Sequence, residues 1–552
     1  MTDFLNLAAK SVAKASGLKL SEVKKIIEIP PNSKLGDFSF PCFSIAKRQK
    51  PGNVAYNIRK KLSVPRVFKK VEVMGPYLNF FLNERVLAET VIGEISKQKN
   101  KYGSTNIGKG SKILIEHTSI NPNASPHVGR SRNAIIGNSL VKLYQFQGYK
   151  PTVHYFVNDV GKQIAMLVMA AGNRNPKFNE LLELYVKINN KIKKNPELEK
   201  QVFDLLFKLE NGDPKIRKRF SKIVKTSVKG QTDIIARLGI TYDVFDYESE
   251  YLFNQKTNSV LRKLNKTNKV FVDEDSRNVL NLEGYNLPMK NPVFVLTRGD
   301  GTSLYGLRDI AYTIDKMNKS KSNLIVLGED QKLYHQQICA AMNILNKPAP
   351  EVVHYSFVLS KAGKMSTRKG DVILLDDFIN QVYSKTRAEI KRRKRGKLRN
   401  ASLIGNSAVI YSLLKVSPEK NVTFDMDSSV RFDGDTGPYL QYTHARINSL
   451  AKKSKTRPSL NSEILTESEI ELIKKLNQFS ANVTKAFELR KPSIVANYAM
   501  ELSKLYNSFY SQNRIISIDK KNTAHRMSIS SATRQVLANS LRLMGIEPVD
   551  EM

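Results

Sequence analysis

The stretch from Lys112 to Asp159 constrains the fold more than any other part of the chain. It begins with a short apolar run whose length and branched side chains suit a buried strand. A turn rich in Pro, Asn and Ser follows, and from His127 onward apolar residues recur at helical spacing until Gly148. Residues 153–157 then alternate between two faces, as in a second strand. The pattern predicts a strand–helix–strand unit, and hence an α/β domain built on a parallel sheet.

The start of this predicted helix has the features of an anion site. Free backbone N–H groups and the helix dipole favour negative charge there, and Gly129 lets a flat base or a phosphate approach the backbone. We therefore expect His127 and Arg130 to lie beside the phosphates of a nucleotide.

A second cationic stretch, Ser360 to Gly370, follows the strand predicted at 352–359. Because glycines bracket its lysines, we expect a loop that closes over a triphosphate and stabilises the charge that develops as pyrophosphate leaves. A Lys-rich loop is more often simply solvated. Here the loop follows a strand and would act together with the turn at His127, and both features favour the functional interpretation.

The length and charge of the chain indicate several domains and a polyanionic partner. With 552 residues it exceeds what one hydrophobic core usually supports, so we expect three or more domains. The formal charge of +38 favours nucleic acid, although nucleotide bias in the gene would also produce many lysines. Between Lys385 and Arg399 nine cations face the single acid Glu389, and such a block is usually solvated and often binds phosphate backbones.

Membrane, disulfide and zinc proteins are disfavoured. The longest apolar run, Ile164 to Ala171, is too short to span a bilayer, and the first residues lack a secretory hydrophobic segment. We therefore expect a cytoplasmic protein. The two cysteines, Cys42 and Cys339, have no partner at metal or redox spacing.

Further domains are predicted on both sides of the α/β unit. Residues 1–106 suggest an α+β module, and residues 396–552 suggest an all-α helical bundle because glycines and strand patterns thin out. The middle region, 107–395, contains the α/β domain, and its charged, Gly-poor stretch at about 170–250 predicts a helical insertion.

The aromatic residues of the first module allow two interpretations. They stand beside amide side chains, so they could stack on splayed bases. Alternatively they form the core of a small domain, which the residues by themselves favour. The residues concerned are Phe38, Phe40, Phe80 and Phe81.

Tyr305 and Asp309 fit a guanidinium. They are four apart, so on a helix they share one face. An aromatic ring beside a carboxylate suits a planar cation. Without further context, an ordinary surface pair of Tyr and Asp would be the commoner explanation.

Taken together, six motifs in one order resemble those of the arginyl-tRNA synthetases, a family of class I aminoacyl-tRNA synthetases. The first catalytic motif of that family is similar to Glu116, Ser119 and Asn121 followed by His127-Val128-Gly129. The second is similar to Lys364-Met365-Ser366-Thr367-Arg368. The other four similar stretches are 36–38, 158–163, 300–305 and 437–442.

The resemblance covers essentially the full length and implies three domains. These are a tRNA-elbow-binding domain at 1–106, a Rossmann-like catalytic domain at 107–395 and an anticodon-binding bundle at 396–552. It also implies a two-step reaction, in which L-arginine is activated by ATP to arginyl-adenylate and is then transferred to the 3′ end of tRNA(Arg). ATP would enter with Mg²⁺ as its substrate complex, and no structural metal is expected. Family members need tRNA before they activate arginine, and we carry that expectation over.

The resemblance also assigns residues to substrates. The catalytic set is His127, Arg130, Lys364 and Lys369. The residues expected at ATP are His127, Val128, Gly129, Arg130, Lys364, Met365 and Ser366. Those expected at arginine are Glu116, Ser119, Asn121, Tyr305, Asp309 and Gln331. Candidate tRNA contacts are Tyr77 and Asn79 at the elbow, with Tyr439 and Met552 at the anticodon. Such an arginine site would leave buried acceptors unpaired if lysine entered, a penalty that can reach roughly 10⁴-fold, so no editing domain is expected.

Two residues depart from the family pattern. Arg130 stands where the family usually has His, and Ala124 stands where many members have Lys. Members with Thr at the position of Thr367 often rely on that upstream Lys. Our hypothesis is that Arg130 supplies part of the lost charge, because a guanidinium is always cationic and can bind two phosphate oxygens, with Lys369 or Arg368 supplying more.

Two other classes of function stay open on the sequence. One is a catalytically inactive tRNA-binding paralogue, which the departures at Arg130 and Ala124 suggest. The other is a different nucleotidyl-transferring ligase on the same scaffold, since a fold does not fix a function.

Overall fold

A computed structural model describes residues 3–360, 363–364, 373–393 and 397–552. The chain divides into two compact units, and each is built from separate stretches of sequence. The first unit comprises Met1–Gly103, Thr443–Ala481 and Tyr498–Asn539, and the second comprises Ser104–Tyr442, Asn482–Asn497 and Ser540–Met552.

The amino-terminal part of the first unit is a small α+β structure, as predicted. Its strands are β1 (Phe38–Pro41), β2 (Phe68–Met74) and β3 (Tyr77–Leu82), which form an antiparallel sheet in the order β1-β3-β2. Its helices are α1 (Phe4–Ser16), α2 (Leu20–Ile26), α3 (Pro51–Lys61) and α4 (Glu84–Gln98). Phe38, Phe40 and Phe80 are buried, so these rings form the core rather than a stacking surface, whereas Phe81 is only partly buried.

The second unit is built around a five-stranded parallel sheet with the order β11-β10-β4-β5-β6. The strands in chain order are β4 (Lys112–Glu116), β5 (Lys150–Val157), β6 (Val244–Tyr247), β7 (Val270–Val272), β8 (Asn278–Asn281), β9 (Val293–Val295), β10 (Asn323–Gly328) and β11 (Glu351–Tyr355). Strands β7, β8 and β9 form a separate antiparallel sheet. Strand β6 lies within the stretch of 170–250 that the sequence suggested as a helical insertion, yet it is an edge strand of the parallel sheet.

Nine helices accompany these strands in the described part of this region. They are α5 (Val128–Phe146), α6 (Lys162–Ala171), α7 (Leu181–Lys194), α8 (Glu197–Glu210), α9 (Pro214–Ala236), α10 (Glu248–Phe253), α11 (Lys256–Asn265), α12 (Tyr305–Lys319) and α13 (Lys332–Ile344). Helix α5 connects β4 to β5, which pair in parallel, so the predicted strand–helix–strand unit is confirmed. Gly148, at φ +84°, follows α5 in a backbone conformation that most side chains avoid.

The chain continues with a small sheet and three helices. These elements are β12 (Val358–Ser360), β13 (Gly363–Lys364), β14 (Val422–Thr423), α14 (Leu375–Arg393), α15 (Ala401–Leu414) and α16 (Met426–Ser429). Strand β12 pairs with β13 in antiparallel and with β14 in parallel orientation.

The carboxyl-terminal region is helical, as predicted. Its helices are α17 (Gly437–Ser454), α18 (Glu467–Asn477), α19 (Phe479–Glu488), α20 (Ser493–Gln512) and α21 (Lys520–Met544). Helix α18 packs against α4 in the first unit, where the hydroxyl of Tyr102 donates to the carbonyl of Leu476 at 3.3 Å. Part of the helical region therefore folds together with the amino-terminal module. Every helix in the described ranges is too short or too polar to cross a bilayer.

Candidate functional site

Polar residues collect at the carboxyl ends of the parallel strands. Glu116 ends β4, Asp159 follows β5 by two residues, Glu248 follows β6, and a turn at Glu329–Gln331 follows β10. Because carboxyl ends of parallel strands share one edge of a sheet, these groups face the crevice in which α/β proteins bind ligands.

Glu116 is the centre of a buried network. Its Oε2 lies 2.5 Å from the Nζ of Lys316 and 3.0 Å from the hydroxyl of Tyr312, and its Oε1 accepts from Ser119 Oγ at 3.3 Å. The Tyr312 hydroxyl is also 3.1 Å from Asp246 Oδ2. Helix α12 therefore places an ammonium and a phenol against Glu116, one of the residues predicted to bind arginine. Neither residue was predicted from the sequence.

Asp309 and Tyr305 lie on α12, as their spacing predicted, and both contact Tyr334 of α13. The hydroxyl of Tyr334 donates to Asp309 Oδ2, and the rings of Tyr305 and Tyr334 are 5.3 Å apart. Burial raises the pKa of Asp309 to about 6, and Glu116 adds to the rise, while the Tyr334 hydrogen bond and Arg308 oppose it. Gln331 lies in the turn after β10, where its amide is 3.4 Å from Asp330.

Glu248 is a third buried carboxylate, and sequence reasoning missed it. Its Oε1 accepts from the Nε of Arg308 at 2.5 Å, and its Oε2 has no hydrogen-bond partner among the residues that the structure describes. Burial raises its pKa, Arg308 opposes the rise, and Asp309 increases it. Its position directly after strand β6 could have identified it, but the sequence had suggested a helical insertion in that stretch.

These carboxylates make a site that favours an additional cation. Glu116 and Glu248 are buried and Asp309 is partly buried, and loss of hydration on burial raises the pKa of both Glu248 and Asp309. A bound guanidinium beside them would favour their ionised forms. Across 3–360, 363–364, 373–393 and 397–552, no group of three or more His, Cys, Asp or Glu side chains could hold a metal ion.

The turn after β4 is strained and firmly held. Thr118 and Ser119 have φ values of +76° and +41°, which non-glycine residues rarely adopt. The Gln231 side chain donates to the carbonyls of Asn121 and Ala124 at 2.9 and 2.8 Å. The Asn121 side chain is exposed and donates to Gln163 at 3.4 Å. Gln231, which lies on α9, therefore positions the turn that contains Ala124.

His127 and Gly129 are packed together at the start of α5. A Cβ atom at position 129 would lie 2.9 Å from the His127 ring, so any other residue would displace the imidazole. The Nδ1 of His127 is buried and has no hydrogen-bond partner in the described part of the chain. Burial, with Arg130 adding to the effect, lowers the His127 pKa to about 4, so the ring is neutral at pH 7. Arg130 itself lies close to the Tyr355 hydroxyl at the end of β11.

The segment with the second predicted motif is joined to α5 at both ends. At one end, the guanidinium of Arg132 donates to the Ser356 carbonyl at 2.7 Å. At the other end, Val128 N donates to Ile373 O at 3.1 Å, and Leu375 N donates to Pro126 O at 2.8 Å. Lys364 is described only through its backbone pairing with Leu359. The remaining predicted residues of this motif, Met365, Ser366 and Lys369, lie outside the described residues.

The four predicted tRNA contacts lie in varied surroundings. Asn79 is buried and accepts from Ser39 Oγ at 2.6 Å, whereas Tyr77 is partly exposed with Phe43 packed edge-on at 5.7 Å. The backbone N–H of Tyr439 donates to Thr436 Oγ1 at 3.2 Å. Met552 packs against the cluster that contains Ile390, Ala401, Ile404 and Phe432.

Three family models match the chain. Residues 91–426 match "tRNA synthetases class I (R), catalytic domain", residues 440–552 match "DALR anticodon binding domain", and residues 3–82 match "Arginyl tRNA synthetase N terminal domain".

Curated relatives match over almost the whole length. An arginine–tRNA ligase of Clostridium perfringens is 34% identical to this chain, and the match covers 100% of both chains. One of Methanocaldococcus jannaschii is also 34% identical, over 98% of this chain and 96% of its own. Among solved structures, the Thermus thermophilus arginyl-tRNA synthetase matches with a TM-score of 0.84 at 22% identity over the full length of both chains. This last likeness concerns the fold.

Proposed function

Since the chain belongs to the arginyl-tRNA synthetase family, we propose that it activates L-arginine with the Mg²⁺ complex of ATP and esterifies it to the 3′ end of tRNA(Arg). The arginine–tRNA ligase activity follows from family membership over the full length. The assignment of residues to steps is our own. The observation that carries it is the group of three carboxylates, Glu116 and Glu248 at strand ends and Asp309 on α12, which fits a guanidinium.

In the first step, a carboxylate oxygen of arginine bonds to the α-phosphorus of ATP. The bond from that phosphorus to the oxygen that bridges to the β-phosphate breaks, and pyrophosphate leaves with the electron pair and its Mg²⁺. We assign His127 to a phosphate oxygen as a neutral hydrogen-bond donor, because its ring is uncharged at pH 7 and its buried Nδ1 has no hydrogen-bond partner among the described residues. Arg130 would bind the phosphates as a permanent cation, and Lys364 and Lys369 would act from the second motif, with Met365 and Ser366 beside the nucleotide.

In the second step, the terminal ribose hydroxyl oxygen bonds to the carbonyl carbon of the adenylate. The bond from that carbon to the phosphate oxygen breaks, AMP leaves with the electron pair, and the hydroxyl proton passes to the phosphate of AMP. We place the reaction in the cytoplasm, where ATP and tRNA meet.

Arginine would be held by groups at both of its ends. The guanidinium would pair with Asp309 and Glu248, with Tyr305 against its face, while Glu116 completes the acidic wall. Ser119 and Asn121 would bind the α-amino and carboxylate ends, and Gln331 would lie beside them. Replacing arginine by lysine would leave carboxylate lone pairs unpaired, which is the source of the proposed specificity.

The three domains would divide the binding of tRNA(Arg). We assign residues 1–106 to the elbow, with the partly exposed Tyr77 as the candidate contact because Asn79 is buried, and residues 396–552 to the anticodon, with Tyr439 and Met552. The match of 440–552 to an anticodon-binding model supports the second assignment.

One assay tests the proposed function against both alternatives. Arginine-dependent exchange between ATP and pyrophosphate is measured with and without tRNA(Arg). Exchange that needs arginine supports the synthetase, and we expect it to need tRNA as well. Absence of exchange with tRNA bound would indicate the inactive paralogue, and exchange with another carboxylic acid would indicate a different ligase.

A further inference from the structure

Strand β7 forms an open edge of the small antiparallel sheet β7-β8-β9. It pairs with β8 on one side, and no strand in the described part of the chain pairs with its other side. Two apolar side chains of this strand, Phe271 and Val272, are 45% and 64% exposed. An exposed apolar edge is a template for pairing with another strand, which proteins usually cover or guard. The edge of β7 is therefore suited to accept one further strand.

The backbone of β7 points hydrogen-bonding groups toward this open edge. The carbonyl of Lys269 and the N–H of Asp273 bond to the β8 arm of the hairpin, at 2.8 and 3.1 Å. Because hydrogen-bonded pairs alternate along an antiparallel ladder, Phe271 also bonds to β8. The N–H and C=O groups of Val270 and Val272 therefore point away from β8, where a further strand would meet them.

The two ends of β7 carry opposite charges. The lysines before the strand are exposed, and three acids in succession follow it; these residues are Lys266, Lys269, Asp273, Glu274 and Asp275. Arg277 pairs with Asp273 and Asp275 at 2.7 and 2.9 Å, which leaves the turn with a net negative charge. This turn would repel a phosphate backbone, whereas an antiparallel copy of the same strand would bring each basic end beside an acidic end. The charges therefore favour a second copy of this chain.

We propose that a second copy of this chain pairs with β7 in antiparallel orientation, across a two-fold axis at Phe271. In this register Val270 of each copy lies opposite Val272 of the other, and each such pair exchanges two backbone hydrogen bonds. The two Phe271 rings meet at a non-hydrogen-bonded pair, where side chains approach most closely. Lys269 of each copy lies opposite Asp273 of the other, on the same face as the Phe271 rings.

The edge of β7 provides only a small interface. Stable dimers bury about 1,200–2,000 Å² in total, and a strand of three residues in each copy covers less than that. The dimer is therefore weak, with a dissociation constant in the micromolar range. This self-association goes beyond the ligase activity and does not depend on it.

Sedimentation equilibrium of the full-length protein, from low to high micromolar concentration, tests the association. The apparent mass of the wild type should rise from 62.4 kDa toward twice that value. Phe271→Ser and Val272→Pro should stay at the mass of one chain. Val272→Pro removes only an outward N–H, so the ladder between β7 and β8 keeps its hydrogen bonds. Phe207→Ser is the matched control, because Phe207 is 55% exposed on α8, and it should dimerise like the wild type.

The charge pairs are tested by a reversal. Lys269→Glu would place an acid opposite Asp273 of the other copy and should raise the dissociation constant by at least about 10-fold. Added salt should restore part of the affinity of this variant, because it screens the repulsion. Lys218→Glu makes the same change of charge at an exposed position on α9 and should leave the dissociation constant unchanged.

Engineered cysteines test the register. In Phe271→Cys the two new thiols would face each other with Cα atoms about 4.5 Å apart, which a disulfide can span, so mild oxidation should link the two copies. Val272→Cys is the matched control, because its two thiols would lie two positions apart along the paired strands, beyond disulfide reach. Both variants retain Cys42 and Cys339, so links through those residues would occur equally in the two.

Three results would overturn the inference. One is a wild type that keeps the mass of a single chain at every concentration. Another is a dimer that persists in both Phe271→Ser and Val272→Pro, since it would use a different surface. The third is equal cross-linking of the two cysteine variants. Arginine-dependent exchange between ATP and pyrophosphate, measured on the same preparations, reports separately on the proposed function.

Discussion

The ammonium of Lys316 lies 2.5 Å from Oε2 of Glu116, and both side chains are almost fully buried. Breaking a buried pair by removing one partner leaves an uncompensated charge, which costs about 3–5 kcal/mol. Here the charge left behind would stand beside Asp309, whose pKa Glu116 already raises and Lys316 lowers. The pair therefore links the stability of the sheet edge to the ionisation of the proposed arginine site.

The first prediction concerns Lys316→Met. We expect the KM for arginine to rise by at least about 10-fold, because Asp309 is then more often protonated at pH 7, and the free energy of unfolding to fall by about 3 kcal/mol. Steady-state kinetics and denaturant unfolding measure the two effects. Lys319→Met is the matched control, since Lys319 is partly exposed and pairs with Asp246 and Asp315. Equal effects of both variants would contradict the special role of Lys316.

The second prediction concerns pH. Asp309 must be ionised to attract a guanidinium, and burial raises its pKa to about 6. As the pH falls through that value the carboxylate becomes protonated, so kcat/KM for arginine should decline about tenfold for each further unit. Tyr334→Phe removes a hydrogen bond that lowers this pKa, so the decline should begin at higher pH.

Tyr251→Phe is the control for this pH profile, because the Tyr251 hydroxyl binds Asp315 at 3.0 Å instead. Its profile should match that of the wild type. A Tyr334→Phe profile shifted to lower pH would exclude Asp309 as the titrating group.

The third prediction tests the departure at Arg130. If this guanidinium supplies charge that the family usually obtains elsewhere, Arg130→Ala should lower the rate of adenylate formation by about 100-fold. Arg130→Lys should retain part of the rate, since it keeps the charge but not the two-pronged geometry. Single-turnover formation of the adenylate is the measurement, and Arg174→Ala serves as an exposed control. An unchanged rate in Arg130→Ala would refute the hypothesis.

The fourth prediction concerns Arg132, which is fully buried and donates to the carbonyls of Ser356, Ser417 and Lys420. It connects α5 to the segment that leads into the second motif. Arg132→Met should cost about 3 kcal/mol of unfolding free energy, because several buried carbonyls lose a charged donor. It should also lower kcat more than it raises the KM for arginine. A variant with normal kcat would make Arg132 a purely structural residue.

The fifth prediction refines the hypothesis that the block from Lys385 to Arg399 binds the tRNA backbone. Several of its cations are already paired, with Asp427 for Lys385, Glu389 for Arg392 and Arg393, and Glu551 for Lys397. Neutralising Arg387, Lys391 and Arg399 together should therefore weaken tRNA binding and reduce the slope of log K against log salt by about 2.

The control for this experiment is the triple variant Lys385→Gln, Arg392→Gln and Arg393→Gln. These cations already lie in ion pairs with carboxylates of the chain, so their removal should change the salt slope less. If neither triple variant alters the slope, the block is solvated surface.

Sequence alone located the strand–helix–strand unit, because hydrophobic periodicity and turn residues are local properties of the chain. It also placed Tyr305 and Asp309 on one helix, since spacing by four residues is sufficient for that. By contrast, Glu248 was not predicted as a site residue, because the charged stretch around it suggested a helical insertion. In the structure, strand β6 ends immediately before it.

The partners of the candidate residues were decided only in three dimensions. Lys316 meets Glu116 across 200 positions of sequence and Arg132 meets Ser356 across 224, so no local pattern could have paired them. The same holds for the amino-terminal module, which folds into one unit with helices from the far end of the chain. Local propensity determines which element a residue enters, but packing of distant elements determines which charges are buried together, and the pKa values of the site follow from that burial.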